Sequence, residues 1–273
     1  MRVLALSPHL DDAAFSAGAL LASLAGAGRD VAVATCFTRS VRRPTGFALA
    51  CQTDKGYGPE VDYMALRREE DARACRRLGV GYAHWDLLEA PHRGYDSPAA
   101  LFAGVRADDG AVAGALAQRL RDALRVYRPD VVLYPLCIGD HVDHLQVARA
   151  VDEVRAGDGA TETRWLRWFD QPYLARHRGR YEGVLAAAQP AGALGDARAA
   201  GTDYVLDFGG GAAGAPDAGG EALARKRAAC AAYVSQVGYQ FFGADGLDVP
   251  DRSAWAGRIA EVLGPEEVFR SCG

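Results

Sequence analysis

Arg2-Val3-Leu4-Ala5-Leu6-Ser7 is an apolar run of strand length that stops at Pro8-His9-Leu10-Asp11-Asp12, where a helical pattern begins and continues to about Ala27. A short apolar run bounded by a turn and followed at once by a helix reads as a buried strand feeding that helix. Gly26 and Gly28 supply the stop signals. The same unit recurs down the chain. Asp30 to Phe37 (DVAVATCF) reads as a second strand. Tyr63 to Leu78 is an amphipathic helix closed by Gly79, and Gly81 to Leu87 resembles a third strand. A helix from about Val112 to Val126 then leads into the clearest strand, Asp130 to Leu136 (DVVLYPL). Strands separated by helices at this interval predict an α/β fold: a Rossmann-like, mostly parallel sheet with helices on both faces.

Residues 40–61 and 89–110 are rich in Gly and Pro, lack periodicity and read as long loops. Beyond the middle the pattern is less regular. Thr163 to Phe169 and Thr202 to Phe208 are strand candidates, Glu221 to Val234 is a helix, and Gly209 to Gly220 is a Gly-rich, low-complexity loop. There is no internal repeat and no composition shift that marks a boundary. A single domain over residues 1–273, with long loops around an active site, is the expectation.

The bulk numbers exclude some classes. The 273 residues carry 31 Lys and Arg against 35 Asp and Glu, a net charge of −4, so the basic excess of a nucleic-acid binder is missing. No apolar run approaches the roughly 20 residues of a bilayer span. The apolar N-terminal stretch is broken by His9, Asp11 and Asp12, unlike a secretory signal. A cytoplasmic protein without membrane or nucleic-acid partners is expected. The six cysteines form no CxxC pair and read as small buried hydrophobes in a reducing compartment. Cys137 precedes a histidine motif, but as a nucleophile it would need an activating base of its own.

In parallel α/β sheets, ligands sit beyond the carboxyl ends of the strands. Both chemically rich motifs begin there: Pro8-His9-Leu10-Asp11-Asp12 after RVLALS, and His141-Val142-Asp143-His144 after DVVLYPL. Taken singly, an Asp pair at a helix start is a cap and dipole partner, and HVDH is a solvated helix face. Together they gather three histidines and three aspartates. Zinc in hydrolytic enzymes is held by three His or carboxylate ligands with a position left for water, and a further carboxylate must take the water's proton. His9 and Asp12, three apart across a turn, can converge on one point, while Asp11 between them points elsewhere and suits a base. Of His141 and His144, one can bind metal while the other faces a substrate carbonyl. Asp143 can hold the tautomer or raise the pKa of a neighbouring imidazole.

The two motifs resemble those of the PIG-L/LmbE-like family of zinc-dependent N-acetylglucosaminyl deacetylases, whose signatures are a His-Pro-Asp-Asp turn and a His-x-Asp-His motif. The likeness continues through Leu66-Arg67-Arg68-Glu69-Glu70 to Leu78-Gly79-Val80, and returns at Lys226 to Gln236 (KRAACAAYVSQ). The resemblance implies His9, Asp12 and His144 as ligands to Zn²⁺ and Asp11 as general base. It also implies His141 as the group that polarises the amide carbonyl, with Asp143 hydrogen-bonded beside it, and Arg67 or Arg68 near the sugar hydroxyls. His92, Arg93 and Tyr95, in the loop after the third strand, are further candidates for substrate contact or plain surface residues. Trp165, Trp168, Phe169 and Tyr173 read as core or as a stacking surface, His84 and His177 as structural or exposed, and Lys226 as surface or support. Leu10 stands where the family has Pro, which fixes φ, and Ala13 where it commonly has Glu.

The activity implied is metal-dependent hydrolysis of the N-acetyl group of an N-acetylglucosaminyl conjugate, a small-molecule substrate. The unusual turn points to a secondary-metabolite branch such as the teicoplanin-type glycopeptide pseudoaglycone deacetylases of antibiotic biosynthesis. Alternatives are an inositol glycoside deacetylase or conjugate amidase of the mycothiol type, and a non-catalytic small-molecule binding domain.

Overall fold

The computed structural model describes residues 1–157, 162–191, 202–208, 218–242 and 252–272. Strand β1 (Arg2–Ser7) leads through α1 (Asp12–Gly26) to β2 (Asp30–Thr35), and α2 (Gly46–Thr53) and α3 (Tyr63–Leu78) precede β3 (Gly81–His84). Then come α4 (Ala111–Tyr127), β4 (Val131–Pro135), α5 (Val142–Gly157) and β5 (Arg164–Trp168). The remainder comprises α6 (Tyr173–Arg176), α7 (Arg178–Ala187), β6 (Gln189–Pro190), β7 (Asp203–Asp207), α8 (Ala218–Cys230), α9 (Val234–Val237), α10 (Arg252–Leu263) and β8 (Glu266–Cys272). The strands form one sheet in the order β3-β2-β1-β4-β5-β8-β7-β6. Neighbours are parallel from β3 to β5, while β8 runs antiparallel to both β5 and β7.

Alternation along β1 shows why the central strand is apolar throughout. Val3 and Ala5 join the core built with α1, α3 and α8, whereas Leu4 and Leu6 join the core of α4 and α5 on the opposite face. Both faces are therefore covered by helices, as a parallel sheet requires. From β1 the chain builds β2 and β3 to one side and, after α4, β4 and β5 to the other. The reversal leaves a crevice between the carboxyl ends of β1 and β4, the switch point at which doubly wound sheets bind ligands.

Helix α3 starts and stops as its sequence dictates. Asp62 caps it by accepting from the Ala65 N–H at 2.9 Å, and Gly79 ends it in the left-handed region at φ 80. Helix α1 is rich in Ala and Gly, which lets α8 approach closely. A Cβ on Gly18 would lie 3.0 Å from Lys226 Cγ. Lys226 is neither a surface residue nor part of the site. It is 1% exposed, and its Nζ pairs with Glu267 Oε1 at 2.7 Å. The Glu267 carboxylate also accepts from the Ala19 and Leu20 N–H groups of α1 at 2.8 and 2.9 Å. Removing the cation leaves a buried carboxylate unpaired, so Lys226→Met is expected to cost about 3–5 kcal/mol. A urea midpoint matching the wild type, at equal m, would contradict this.

The structure departs from the sequence reading in several places. The 40–61 segment contains the eight-residue helix α2 rather than loop throughout, because a two-turn helix between Pro44 and Gly56 carries too few residues to show a period. The 89–110 segment holds 3₁₀ turns at Ala90–Arg93, Ala100–Phe102 and Ala107–Asp109. Helix α10 and strand β8, inserted between β5 and β7, have no counterpart in the sequence reading. Of the Gly-rich segment, Ala218–Gly220 begin α8 and residues 209–217 lie outside the described residues. No helix among the described residues is long and apolar enough to cross a membrane. All six cysteines are free.

Candidate metal and catalytic site

The turn after β1 is pinned by its own polar groups. Ser7 Oγ donates to the His9 carbonyl at 2.6 Å and accepts from the Ala13 N–H at 3.0 Å. Asp12 Oδ2 accepts from the His9 N–H at 2.8 Å. Leu10, in the position of the missing Pro, is fully buried against Tyr63 and Met64. Packing replaces the φ restriction that Pro would have given.

The second cluster is set by a tight loop after β4. Cys137, Gly139 and Asp140 all lie in the left-handed region, at φ 70, 88 and 60. Two non-glycine residues there mark stored strain. Gly139 is required for a further reason, since a Cβ on it would meet Tyr173 Cδ1 at 2.9 Å. Asp170, just past β5, holds the arrangement from beneath: it accepts from the Ile138 N–H at 2.9 Å and from His144 Nδ1–H at 2.8 Å. The opposite nitrogen, His144 Nε2, is thereby turned inward. It is buried without a hydrogen-bond partner, 3.2 Å from Asp12 Oδ2.

His9 approaches the same oxygen from the other side. Its Nδ1 lies 3.2 Å from Asp12 Oδ2, and its Nε2 bonds Asp143 Oδ2 at 2.9 Å. The His141 ring stands edge-on to His9 at 4.8 Å between centroids. Ligand atoms of His9, His141 and His144 all lie within 4.8 Å of one another, close enough to hold one metal ion. An inward-facing, unpartnered imidazole nitrogen and a carboxylate oxygen shared by two histidines fit a divalent cation by donor type. The His9–Asp143 and His144–Asp170 bonds have the form of the outer carboxylate–imidazole pairs that orient metal-binding histidines.

Asp11 occupies the N-cap position of α1, yet its side chain makes no capping hydrogen bond. The carboxylate is 4% exposed and lines the cavity over the cluster. Burial, and then the charge of Asp12, push its pKa up to about 7 against the pull of Arg67 and His9. For His141, burial and the neighbouring His9 hold the ring neutral, well below the usual imidazole range. Its Nδ1 accepts the Asp143 N–H at 3.2 Å, so the proton of the neutral ring sits on Nε2.

Several candidates fall elsewhere than expected. The Asp143 carboxylate does not sit beside His141. Held at the first turn of α5, it reaches across to His9 Nε2, the Ala90 N–H at 3.0 Å and Arg93 Nη1 at 2.8 Å. Those partners hold it well below the usual carboxylate range despite its burial. Arg93 is not a substrate contact: it grips both oxygens of Asp109 at 2.9 Å and the Leu88 carbonyl at 2.6 Å, behind the cluster. Tyr95 is buried in the same network through Asp109. Arg68 is likewise engaged, with the Thr38 carbonyl at 2.5 Å and Ser40 Oγ at 3.0 Å. Arg67 and His92 do line the cavity, and Arg67 pairs there with Glu89 at 2.5 Å.

Trp165, Trp168 and Phe169 are core residues, and Tyr173 lines the cavity. His84 is tied to Asp71 at 2.8 Å. Cys137 is buried, and burial together with Asp170 pushes its thiol well up, away from nucleophilic thiolate. The two flanking motifs meet: Glu70 of α3 accepts from both Ser235 N–H and Oγ, at 2.9 and 2.6 Å. Sequence reasoning missed Asp170 and Glu89. Asp170 carried a usable signal, an acid at the carboxyl end of the strand beside β4; Glu89 carried none.

A switch-point cavity of about 270 Å³ with a His/Asp cluster at its base defines an α/β protein built around a metal-capable centre. The chain belongs to the GlcNAc-PI de-N-acetylase (PIG-L) family, which residues 4–155 match. It is 38% identical over 178 residues to the 2'-N-acetylparomamine deacetylase of Streptomyces fradiae, a match covering 64% of this chain and only 58% of that relative. Among solved structures, the zinc-inhibited form of a teicoplanin deacetylase superimposes with a TM-score of 0.69 at 26% identity, covering 99% of this chain and 97% of that one. The pseudoaglycone deacetylase of the antimicrobial A40926 gives 0.69 and 26%, covering 99% and 96%. A deacetylase of the teicoplanin pathway, at 24% identity and TM-score 0.71 over 99% and 97%, supports the fold.

Proposed function

We propose that the chain is a zinc-dependent N-deacetylase, a single catalytic domain that removes acetate from an N-acetylglucosaminyl conjugate of secondary metabolism. The observation that carries this reading is the convergence of His9 Nδ1 and His144 Nε2 on Asp12 Oδ2 beside the uncapped Asp11. In it, His9, Asp12 and His144 hold the ion. Bound there, zinc supplies Lewis acidity and brings the pKa of water toward about 7.

The chain's own groups do the rest. Asp11 accepts a proton from the attacking water. His141 donates its Nε2–H to the acetyl oxygen as that oxygen gains charge, in the manner of an oxyanion hole. The proton held by Asp11 then passes to the amine nitrogen as the C–N bond breaks, leaving acetate and a free amino sugar. Asp143 and Asp170 take no proton in this scheme; they fix the tautomers of His9 and His144. The named relatives act on an aminoglycoside precursor and on glycopeptide pseudoaglycones, and the preferred substrate here is of the glycopeptide pseudoaglycone type.

Acetate release from N-acetylglucosaminides tests the reading. Chelator-treated protein is expected to lose at least about 100-fold in rate and to recover with one equivalent of zinc. Zinc is kept stoichiometric because a structural relative exists in a zinc-inhibited form. Equal rates with and without metal would sink the proposal.

A further inference from the structure

The cavity lining is of two kinds. At the base lie the His/Asp cluster and Asp11. The lining also carries an apolar set, with Pro44, Phe47 and Ala48 from one segment and Pro98, Leu101 and Phe102 from another. Both segments read as featureless loops in the sequence, and both carry short helical turns that present these side chains. Phe102 is 43% exposed. Its ring stands edge-on to His141 at 5.3 Å and to Tyr173 at 6.1 Å. An exposed aromatic surface on the wall of an active-site cavity is apolar area that a ligand bound there would cover.

The charges on this wall balance one another in number. Outside the metal cluster and Asp11, the lining carboxylates are Asp54, Asp62 and Glu89. Asp62 accepts from the Ala65 N–H and from Ser40 Oγ on one oxygen, Oδ1, at 2.9 and 2.7 Å. Glu89 is held by Arg67. That leaves Asp54, next to Lys55, whose ammonium lies over the Tyr63 and Tyr239 rings at 5.5 and 5.1 Å. Arg67 and Arg176 bring the lining cations to three with Lys55, against these three carboxylates. A substrate with several ammonium groups would find few free carboxylates and much apolar surface, which leaves buried cations unpaired.

We infer that Phe47 and Phe102 select the aglycone, favouring an N-acetylglucosaminide that carries an apolar aromatic group over a polycationic aminocyclitol. The inference rests on the deacetylase reading and departs from the substrate class of the 38%-identical relative. The sugar places its N-acetyl group at the cluster, and its aromatic substituent lies against Phe102 on one side and the Phe47 segment on the other.

The test uses the zinc-loaded full chain with methyl, phenyl and 2-naphthyl N-acetylglucosaminides and a mono-N-acetylated aminocyclitol pseudodisaccharide. In the wild type kcat/KM should rise about tenfold from methyl to naphthyl, the scale of one aromatic contact with its buried area. Phe47→Ala and Phe102→Ala should flatten that rise to less than about threefold, and Phe102→Tyr should keep it. A residue that merely supported the loop would lower all members alike and leave the slope intact, which would overturn the inference. So would a flat wild-type series, or a pseudodisaccharide turned over faster than the naphthyl glycoside. Wild-type protein inactive on every member would remove the deacetylase reading itself, and this inference with it.

Discussion

Asp11→Asn is expected to lower kcat for acetate release by roughly 10²–10⁴-fold, the usual range for a general base, while the variant still binds one equivalent of zinc. The geometry separates this outcome from the alternatives. Asp11 is not shared between the histidines, as Asp12 is, and it does not cap α1. Its carboxylate is buried at the cavity wall, where burial and the charge of Asp12 push its pKa up and so favour its taking a proton. An Asn keeps the shape and removes the proton acceptor. If Asp11 were only a helix cap, Asn would replace it at almost no cost in stability, since the two residues cap about equally well, and kcat would be untouched. Steady-state kinetics, metal analysis and a melting curve on one preparation decide the matter. A kcat within tenfold of wild type, or loss of the metal, would remove Asp11 from its role.

How much of this was legible in the sequence follows from what each signal depends on. β1 and β4 are buried on both faces, so they appear as continuous apolar runs that need no partner to be recognised. The two motifs stand out because each begins where such a run ends. The strand order that brings them together is a tertiary property, and so is the insertion of β8 between β5 and β7. Spacing told that Asp143 would hold an imidazole but not which one: its carboxylate bonds His9 Nε2 across the crevice, while His141 meets only its backbone N–H. The same limit applies to Arg67 and Arg68: adjacent on α3, they diverge by about 100° around the helix, and only packing decides which lines the cavity. Asp170 obeyed the strand-end rule but had no histidine or second acid beside it to draw attention. Leu10 broke the family pattern in a way that only Tyr63 and Met64, far along the chain, explain.

Two donor sets share His9 and His144 and differ in whether Asp12 or His141 completes them, and Asp12→Asn and His141→Gln are expected to behave oppositely. Asp12 Oδ2 lies 3.2 Å from both His9 Nδ1 and His144 Nε2, so an ion that draws in those nitrogens also meets this oxygen. Asp12→Asn should therefore weaken zinc binding by at least about 100-fold, beyond the loss seen when outer partners are removed. The His141 ring centroid is 5.5 Å from that of His144, and its Nδ1 is occupied by the Asp143 N–H. Only Nε2 is left to face the cavity, where a protonated nitrogen serves an oxyanion and not a cation. His141→Gln should accordingly keep zinc within about tenfold of the wild-type affinity while losing roughly 10²–10³-fold in kcat, the scale of one oxyanion donor. Competitive chelator titration gives the affinities and acetate release gives the rates. Should His141→Gln lose the metal and Asp12→Asn keep it, the three histidines hold the ion, and the oxyanion donor must be sought elsewhere on the cavity wall.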